Sequence, residues 1–291
     1  MRLASVEIEG EIRCCALCAH ELLVLDPDYS LSELLSLGSR LNELWERASQ
    51  RPSIPLHSAR LLPPFTPAGT IIGIGLNFTS FLEDARRLGM AVPKDPLWFA
   101  RSARCLSGAY DDVWLPADCD DLDYEGELVI VIGRACHLAS REEAERSIAG
   151  YTIGNDLTMR RRAAQSMVLG KFFDTHAPVG PVVVTAEEID NPQDLEIRTY
   201  VNGDLRQQAS TSEMILDCYE IVQSLSATMI LHPGDLIFTG TPSGCGIAQR
   251  PPTMLRAGDR VRVEIDGLGA IENQIVALPT TPPWRNLDSP D

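Results

Sequence analysis

Lysine is almost missing from this chain: Lys94 and Lys171 are the only two in 291 residues, while arginine is plentiful. Positive charge is short overall, with 25 Lys and Arg against 41 Asp and Glu and a formal net charge of −16. Nucleic acid and anionic membrane surfaces both need basic patches, so neither is expected as a partner. A small anionic substrate is not excluded, because local fields decide that. No apolar run approaches the roughly 18–20 residues of a membrane span. The opening residues 1–10 carry charges where a signal peptide has its apolar stretch, so a cytoplasmic location is expected. A closed zinc site needs four ligands, and Cys15-Ala-Leu-Cys18 has no second C-x-x-C or H-x₃-H to complete one. A redox pair would stand at a helix start, whereas this one interrupts a strand-like run; buried small residues are the reading here. The eight cysteines are expected to be reduced.

What is present is a 44% hydrophobic content, enough for a large core. The first 25 residues read as two short strands joined at Glu9-Gly10-Glu11. Ser30 to Ala48 reads as one helix, with Ser30 or Ser32 as N-cap and Glu33 in the first turn. Proline-rich segments at 52–55 and 62–67 follow. We place a boundary near residue 68, between a small N-terminal subdomain (1–68) and the main body (69–291), whose tail 280–291 is expected to fray. In the body, strands are expected near 113–115, 126–133, 149–154, 181–185, 195–202, 235–239 and 260–266. A short helix is expected within Asn77–Arg87, and others over Glu142–Ile148 and Ser212–Ser226. Val201-Asn202-Gly203-Asp204 has the chemistry of a type I′ hairpin turn. Strands outnumber helices without alternating with them, which gives an α+β, mainly β fold and disfavours Rossmann and TIM arrangements.

The chemistry concentrates in Asp123-Tyr124-Glu125-Gly126-Glu127-Leu128-Val129-Ile130-Val131-Ile132. Residues i and i+2 of a strand share a face, so Glu125 and Glu127 project side by side at the head of a buried apolar run. Like charges that close repel unless a cation lies between them, and carboxylate oxygens suit Mg²⁺, Mn²⁺ or Ca²⁺ better than zinc. A third acid, Asp156, lies in Gly150-Tyr151-Thr152-Ile153-Gly154-Asn155-Asp156. With Gly75-Leu76-Asn77-Phe78, Gly170-Lys171-Phe172-Phe173-Asp174-Thr175, Val201-Asn202-Gly203 with Gln207, and Thr239-Gly240-Thr241-Pro242-Ser243-Gly244-Cys245-Gly246, these make six motifs in order. The ordered set over roughly 69–276 resembles the fumarylacetoacetate hydrolase superfamily.

That resemblance implies a mixed β-sandwich roll, a homodimer, and one Mg²⁺ or Mn²⁺ held by Glu125, Glu127 and Asp156. Three carboxylates supply half of an octahedron and leave positions for a 2-oxo acid, whose enolate the metal stabilises. Arg160 and Lys171 match family positions that hold substrate oxygens, and the Thr241 loop offers donors to a carboxylate or oxyanion. Asn77 and Phe81 are also expected at the substrate. The family's hydrolases carry a histidine four residues after the Asn of G-L-N-[YF] and an acid three residues further, and together these activate water on a mobile lid. Here the histidine position is Phe81 and the acid position Asp84, with Glu83 beside it; the polar position three residues past Arg160 is Ala163. Losing a general base typically costs a factor of about 10²–10⁴, which pulls away from hydrolysis. The expectation is a metal-dependent enzyme on a 2-oxo or 1,3-dicarbonyl carboxylic acid, cleaving a C–C bond by hydrolysis or decarboxylation. Keto–enol tautomerisation and a non-catalytic ligand binder are the alternatives. Lys171, Asp84 and Glu83 are the candidate proton carriers.

Overall fold

The computed structural model describes residues 1–25, 29–38, 40–65 and 69–279; the boundary expected near residue 68 and the tail 280–291 lie outside them. At its centre is the strand Gly126–Ile132, every residue of which is buried. It pairs antiparallel with Ile148–Asn155 on one side and with Leu236–Phe238 on the other. A strand covered on both faces must be apolar at every position, which is why this run shows no alternation. Leu128, Ile130 and Ile132 enter one core with Ile72, Ile153 and Ile237, and with Ile197, Val263 and Ile271 of a second sheet. Val129 and Val131 enter the opposite core with Leu3, Leu34, Leu35, Val179 and Val183. Each such side chain contributes roughly 1.5–3 kcal/mol on burial. The central strand is therefore clamped from both faces.

The large sheet continues through Ala177–Thr185 to Arg2–Ile8, Glu11–Cys18 and Glu21–Val24, with Leu3 opposite Val183. In the other direction it runs through Ile71–Gly75 to Leu97–Arg101. The second sheet has the order Asp204–Ser210, Glu196–Val201, Arg260–Ile265, Gly269–Ala277 and Val113–Leu115, and packs across one face. The strand-rich α+β sandwich is as expected, and so is the hairpin turn, with Asn202 and Gly203 at φ 54° and 88°. None of the described helices is long and apolar enough to cross a membrane.

Four readings need correction. Residues 1–25 form three strands, Arg2–Ile8, Glu11–Cys18 and Glu21–Val24, and not two. The single helix over Ser30–Ala48 is two, Leu31–Ser36 and Arg40–Ser49, broken where Gly38 takes φ +56°. The Ser30–Glu33 capping box is present. The helix expected from Ser212 begins only at Cys218, after an Asp217 cap that accepts from the amides of Tyr219 and Glu220. Residues 214–216 instead pair with the start of the lid, through the Phe78–Met214 bridge and the Ile215 amide on the Asn77 carbonyl (2.8 Å). Finally, the strands Leu97–Arg101, Asp204–Ser210 and Gly269–Ala277 escaped the sequence reading. The Cys15–Cys18 motif lies on the strand Glu11–Cys18, where a spacing of three sends the two thiols to opposite faces, one buried and one exposed. Burial pushes the Cys15 thiol up to about 12, the reverse of what a redox cysteine needs.

Gly126, between the two glutamates, has no room for a side chain. A Cβ there would sit 2.2 Å from Thr199 Oγ1 and 3.0 Å from Val263 Cγ1 of the second sheet. Gly126→Ala is expected to destabilise by about 1–3 kcal/mol through overpacking. Adding Thr199→Ala should recover part of that cost, because it removes the nearest atom. Denaturant titration of the two single variants and the double variant measures the coupling; strict additivity would contradict the clash.

Candidate metal and substrate site

The three acids meet because two antiparallel strands end together. Gly126 stands opposite Asn155, the Asp156 amide donates to the Glu125 carbonyl (2.8 Å), and the Glu125 amide donates to Asn155 Oδ1 (3.0 Å). Glu125, Glu127 and Asp156 are buried, and each offers an oxygen within 4.8 Å of the others. It is the one such His/Cys/Asp/Glu cluster among the described residues.

Three cations surround the trio. Lys171, ending the short helix Met167–Lys171 and 1% exposed, donates to Glu125 Oε2 (2.8 Å), Thr158 Oγ1 (2.8 Å) and Asp156 Oδ2, with its ammonium 4.7 Å from the Phe99 ring centre. Arg160 pairs with Glu125 Oε1 (2.7 Å) and donates from Nε to Asp123 Oδ2 (2.8 Å). Arg101 donates to Asp156 Oδ1 and to the carbonyls of Lys171 (2.7 Å) and Leu157 (2.8 Å). Burial alone would raise Glu125, but Lys171 and Arg160 outweigh it and hold its carboxyl at about 2. Glu127 is the exception. Its carboxylate accepts the Gly240 amide (2.7 Å), and burial followed by the charges of Asp156 and Glu125 drives its pKa well up. Counting Asp123, four acids face three cations, and the surplus charge falls on Glu127. An all-oxygen donor set short of one positive partner fits a hard divalent cation.

Beside the trio lies a cavity of about 230 Å³. Glu125, Glu127, Asp156, Arg160, Lys171 and Thr241 form its polar end. Phe81, on the lid helix Thr79–Arg87, lines it and is 5% exposed. Of the other expected lid residues, neither enters. Glu83 is on the exposed side of that helix and does not line the cavity. Asp84 accepts from Ser243 Oγ (2.5 Å) and Arg87 Nη2 (2.6 Å); burial would raise it, but these partners hold it below the usual carboxylate range.

Of two residues expected at the substrate, Asn77 lies off the cavity wall and Thr241 on it, and both tie backbone together. Asn77 donates to the Leu216 (3.0 Å) and Thr239 (2.9 Å) carbonyls and accepts the Leu216 amide (2.9 Å), so its amide group is spent on backbone. Thr241 does border the cavity, but its hydroxyl donates to the Gly126 carbonyl (2.9 Å) and accepts from Gln207 Nε2 (2.8 Å). Arg161 and Arg162 pair with Asp120 and Asp118 at the surface.

Four residues with no role in the sequence reading complete the site. Asp123 accepts from Arg160 and from the amides of Gly246 (2.6 Å) and Ile247 (3.0 Å), fixing the loop that closes behind the guanidinium. Gln207 bridges the Gly126 amide (3.1 Å) to Thr241. Both belonged to recognised motifs, so the signal was there. Thr158 seats the Lys171 ammonium. Arg101 had only one signal, an arginine ending an apolar strand.

Among the described residues no histidine borders the cavity. His176 is buried and binds the Trp114 carbonyl through Nε2 (2.7 Å); burial lowers its pKa to about 4. A histidine depressed from about 6.5 gives stability that is full above that pH and is lost as pH falls toward 4. The loss is expected to be roughly 3 kcal/mol. His176→Gln should flatten the pH dependence of melting between 6.5 and 4, and an unchanged profile would contradict the assignment.

Comparison with known proteins agrees with this architecture. Residues 70–276 match the family described as fumarylacetoacetate (FAA) hydrolase C-terminal. The chain is 35% identical over 253 residues to bovine "Oxaloacetate tautomerase FAHD2B, mitochondrial", covering 85% of this chain and 80% of that one. It is 38% identical over 235 residues to a Dictyostelium discoideum fumarylacetoacetate hydrolase domain-containing protein 2 homolog, covering 76% of each. Among solved structures, maleylpyruvate hydrolase from Sphingobium sp. SYK-6, in complex with manganese(II) and pyruvate, superposes with a TM-score of 0.81 at 29% identity, over 96% of this chain and all of that one. The Exiguobacterium antarcticum fumarylacetoacetate hydrolase gives 0.83 at 32% identity, over 95% and 99%. The motifs, the sandwich and the buried acid trio thus belong together, and the chain is a member of the fumarylacetoacetate hydrolase family.

Proposed function

We propose that the protein is a keto–enol tautomerase of 2-oxo acids that depends on Mg²⁺ or Mn²⁺, with Glu125, Glu127 and Asp156 as the metal's ligands. The observation that carries this reading is the occupant of the lid position facing the site: an apolar Phe81, with no histidine on the cavity wall among the described residues and Asp84 bound to Arg87 and Ser243. A cleft so lined lacks the histidine–acid pair that activates water in the family's hydrolases, yet keeps the acid trio, Arg160 and Lys171 for enolisation. Held by Glu125, Glu127 and Asp156, a divalent cation would supply Lewis-acid polarisation of a 2-oxo acid's carbonyl.

The chain's own residues do the rest. Arg160 borders the cavity, held by Glu125 and Asp123, and would meet the substrate's carboxylate. Lys171 is the one candidate proton carrier that borders the cavity. In the enol-to-keto direction its ammonium gives a proton to the carbon next to the keto group, and the amine that is left recovers one from the enol hydroxyl. Phe81 and Phe99 exclude water from the face where the enolate develops. Relatives described as oxaloacetate tautomerase and as δ-isomerase support the same class of reaction.

Decarboxylation, the branch of C–C cleavage that needs no activated water, is the second reading, because it uses the same electron sink. Incubation of 2-oxo acids in D₂O with and without Mn²⁺, followed by ¹H NMR, separates the two. The tautomerase exchanges the protons next to the keto group and leaves the carbon skeleton whole. Metal-dependent loss of CO₂ or of an acyl fragment, without exchange outpacing it, would replace this reading with cleavage.

A further inference from the structure

We infer that the preferred substrate carries one carboxylate only, with an apolar ring or branched alkyl group beyond the carbon that is deprotonated. This rests on, and narrows, the tautomerase reading. The cavity wall is of two kinds. All its charged side chains crowd at the acid trio, with the Phe99 ring 4.7 Å from the Lys171 ammonium, while the rest of the wall includes Phe81, Leu97, Met90, Met167 and Ile247. Aromatic faces and thioethers of this kind pack against a planar or branched apolar group. At about 230 Å³ the space suits a chelating head with one compact substituent.

A second carboxylate would find no partner there. No cation other than Arg160 and Lys171 lines the cavity among the described residues, and both are already engaged by Glu125 and by Asp123 or Asp156. Arg87 on the lid is turned to Asp84 and the Ala248 carbonyl (2.9 Å). Ala163 offers only a methyl group where a polar side chain would have reached in. Charge balance points the same way. Four acids against three cations leave one negative charge, a divalent ion turns that into one positive charge, and a single carboxylate cancels it. A dianion would leave an unpaired charge against an apolar wall, the arrangement proteins avoid most strongly.

The test uses the full-length, Mn²⁺-loaded protein and two readouts. Phenylglyoxylate and oxomalonate have no exchangeable carbon-bound proton, so calorimetry reports their binding without turnover. Phenylpyruvate and oxaloacetate report D₂O exchange above the enzyme-free rate. Phenylglyoxylate is expected to bind, and phenylpyruvate to exchange, about a hundredfold better than the diacid. Met90→Arg, at a position 40% exposed and therefore tolerant of charge, should narrow both ratios about tenfold, and Met167→Arg should do the same. Equal or better binding and exchange of the diacids would overturn this inference and leave the tautomerase standing. Tight phenylglyoxylate binding with exchange of neither keto acid would overturn the tautomerase and support the pocket assignment.

Discussion

Glu127→Gln is expected to cut metal-dependent turnover by about three orders of magnitude while leaving the metal-free fold intact or firmer. Glu127 is the carboxylate without a cation: it has one backbone donor, from Gly240, and two acids as neighbours. Glutamine keeps the acceptor for that amide and turns an N–H₂ toward Asp156 and Glu125, so the isostere removes a buried repulsion. What it cannot do is complete a trio of anionic ligands. Outer partners of a metal alone are worth about 10–100-fold in affinity, and a direct ligand should cost at least that. Lewis-acid stabilisation is worth several kcal/mol, so the rate should fall by about 10³. Calorimetric titration with Mn²⁺, beside thermal melts with and without it, gives both numbers. A variant that binds Mn²⁺ as tightly as the parent would remove Glu127 from the site.

Lys171→Met should do more damage to the fold. Its ammonium is the shared partner of Glu125 and Asp156, and the side chain is 1% exposed. Removing one member of a buried ionic cluster typically costs about 3–5 kcal/mol, because the remaining charges are stranded. A divalent ion binds the same stranded oxygens, so Mn²⁺ should raise the melting temperature more in the variant than in the parent. Turnover should stay low even then, by roughly 10²–10⁴ if Lys171 moves the proton. Lys171→Arg is not expected to rescue it, since a planar fork does not fit a site built for a point charge over the Phe99 ring. Activity within tenfold of the parent in the Mn²⁺-saturated Lys171→Met protein would pass the proton transfer to another group.

The parts of the site that could be read from sequence are those a strand's two-residue period dictates. Glu125 and Glu127 had to share a face, and the apolar run behind them had to be buried. That Asp156 would join them depended on Gly126 lying opposite Asn155, a register set by long-range pairing. Asn77 and Thr241 show the limit of motif reading, because a side chain that ties down a loop and one that touches a ligand leave the same trace in sequence. Arg101 shows another, since 55 positions separate it from the carboxylate it holds. In the fold, the helix over Ser30–Ala48 failed at Gly38, whose backbone could have continued the helix but takes a positive φ instead. Asp204–Ser210, with its mostly polar sequence at the edge of the smaller sheet, lacked the alternation that marks a strand.

Asn77 has a mechanical consequence. One amide group grips the Thr239 carbonyl and both backbone groups of Leu216, and the residue after Thr239, Gly240, donates to Glu127. The root of the lid is thereby bolted to the same short loop that steadies an acid of the trio. The helix that carries Phe81 therefore starts from a point fixed to the floor of the cleft. Loosening that bolt would disturb door and floor together.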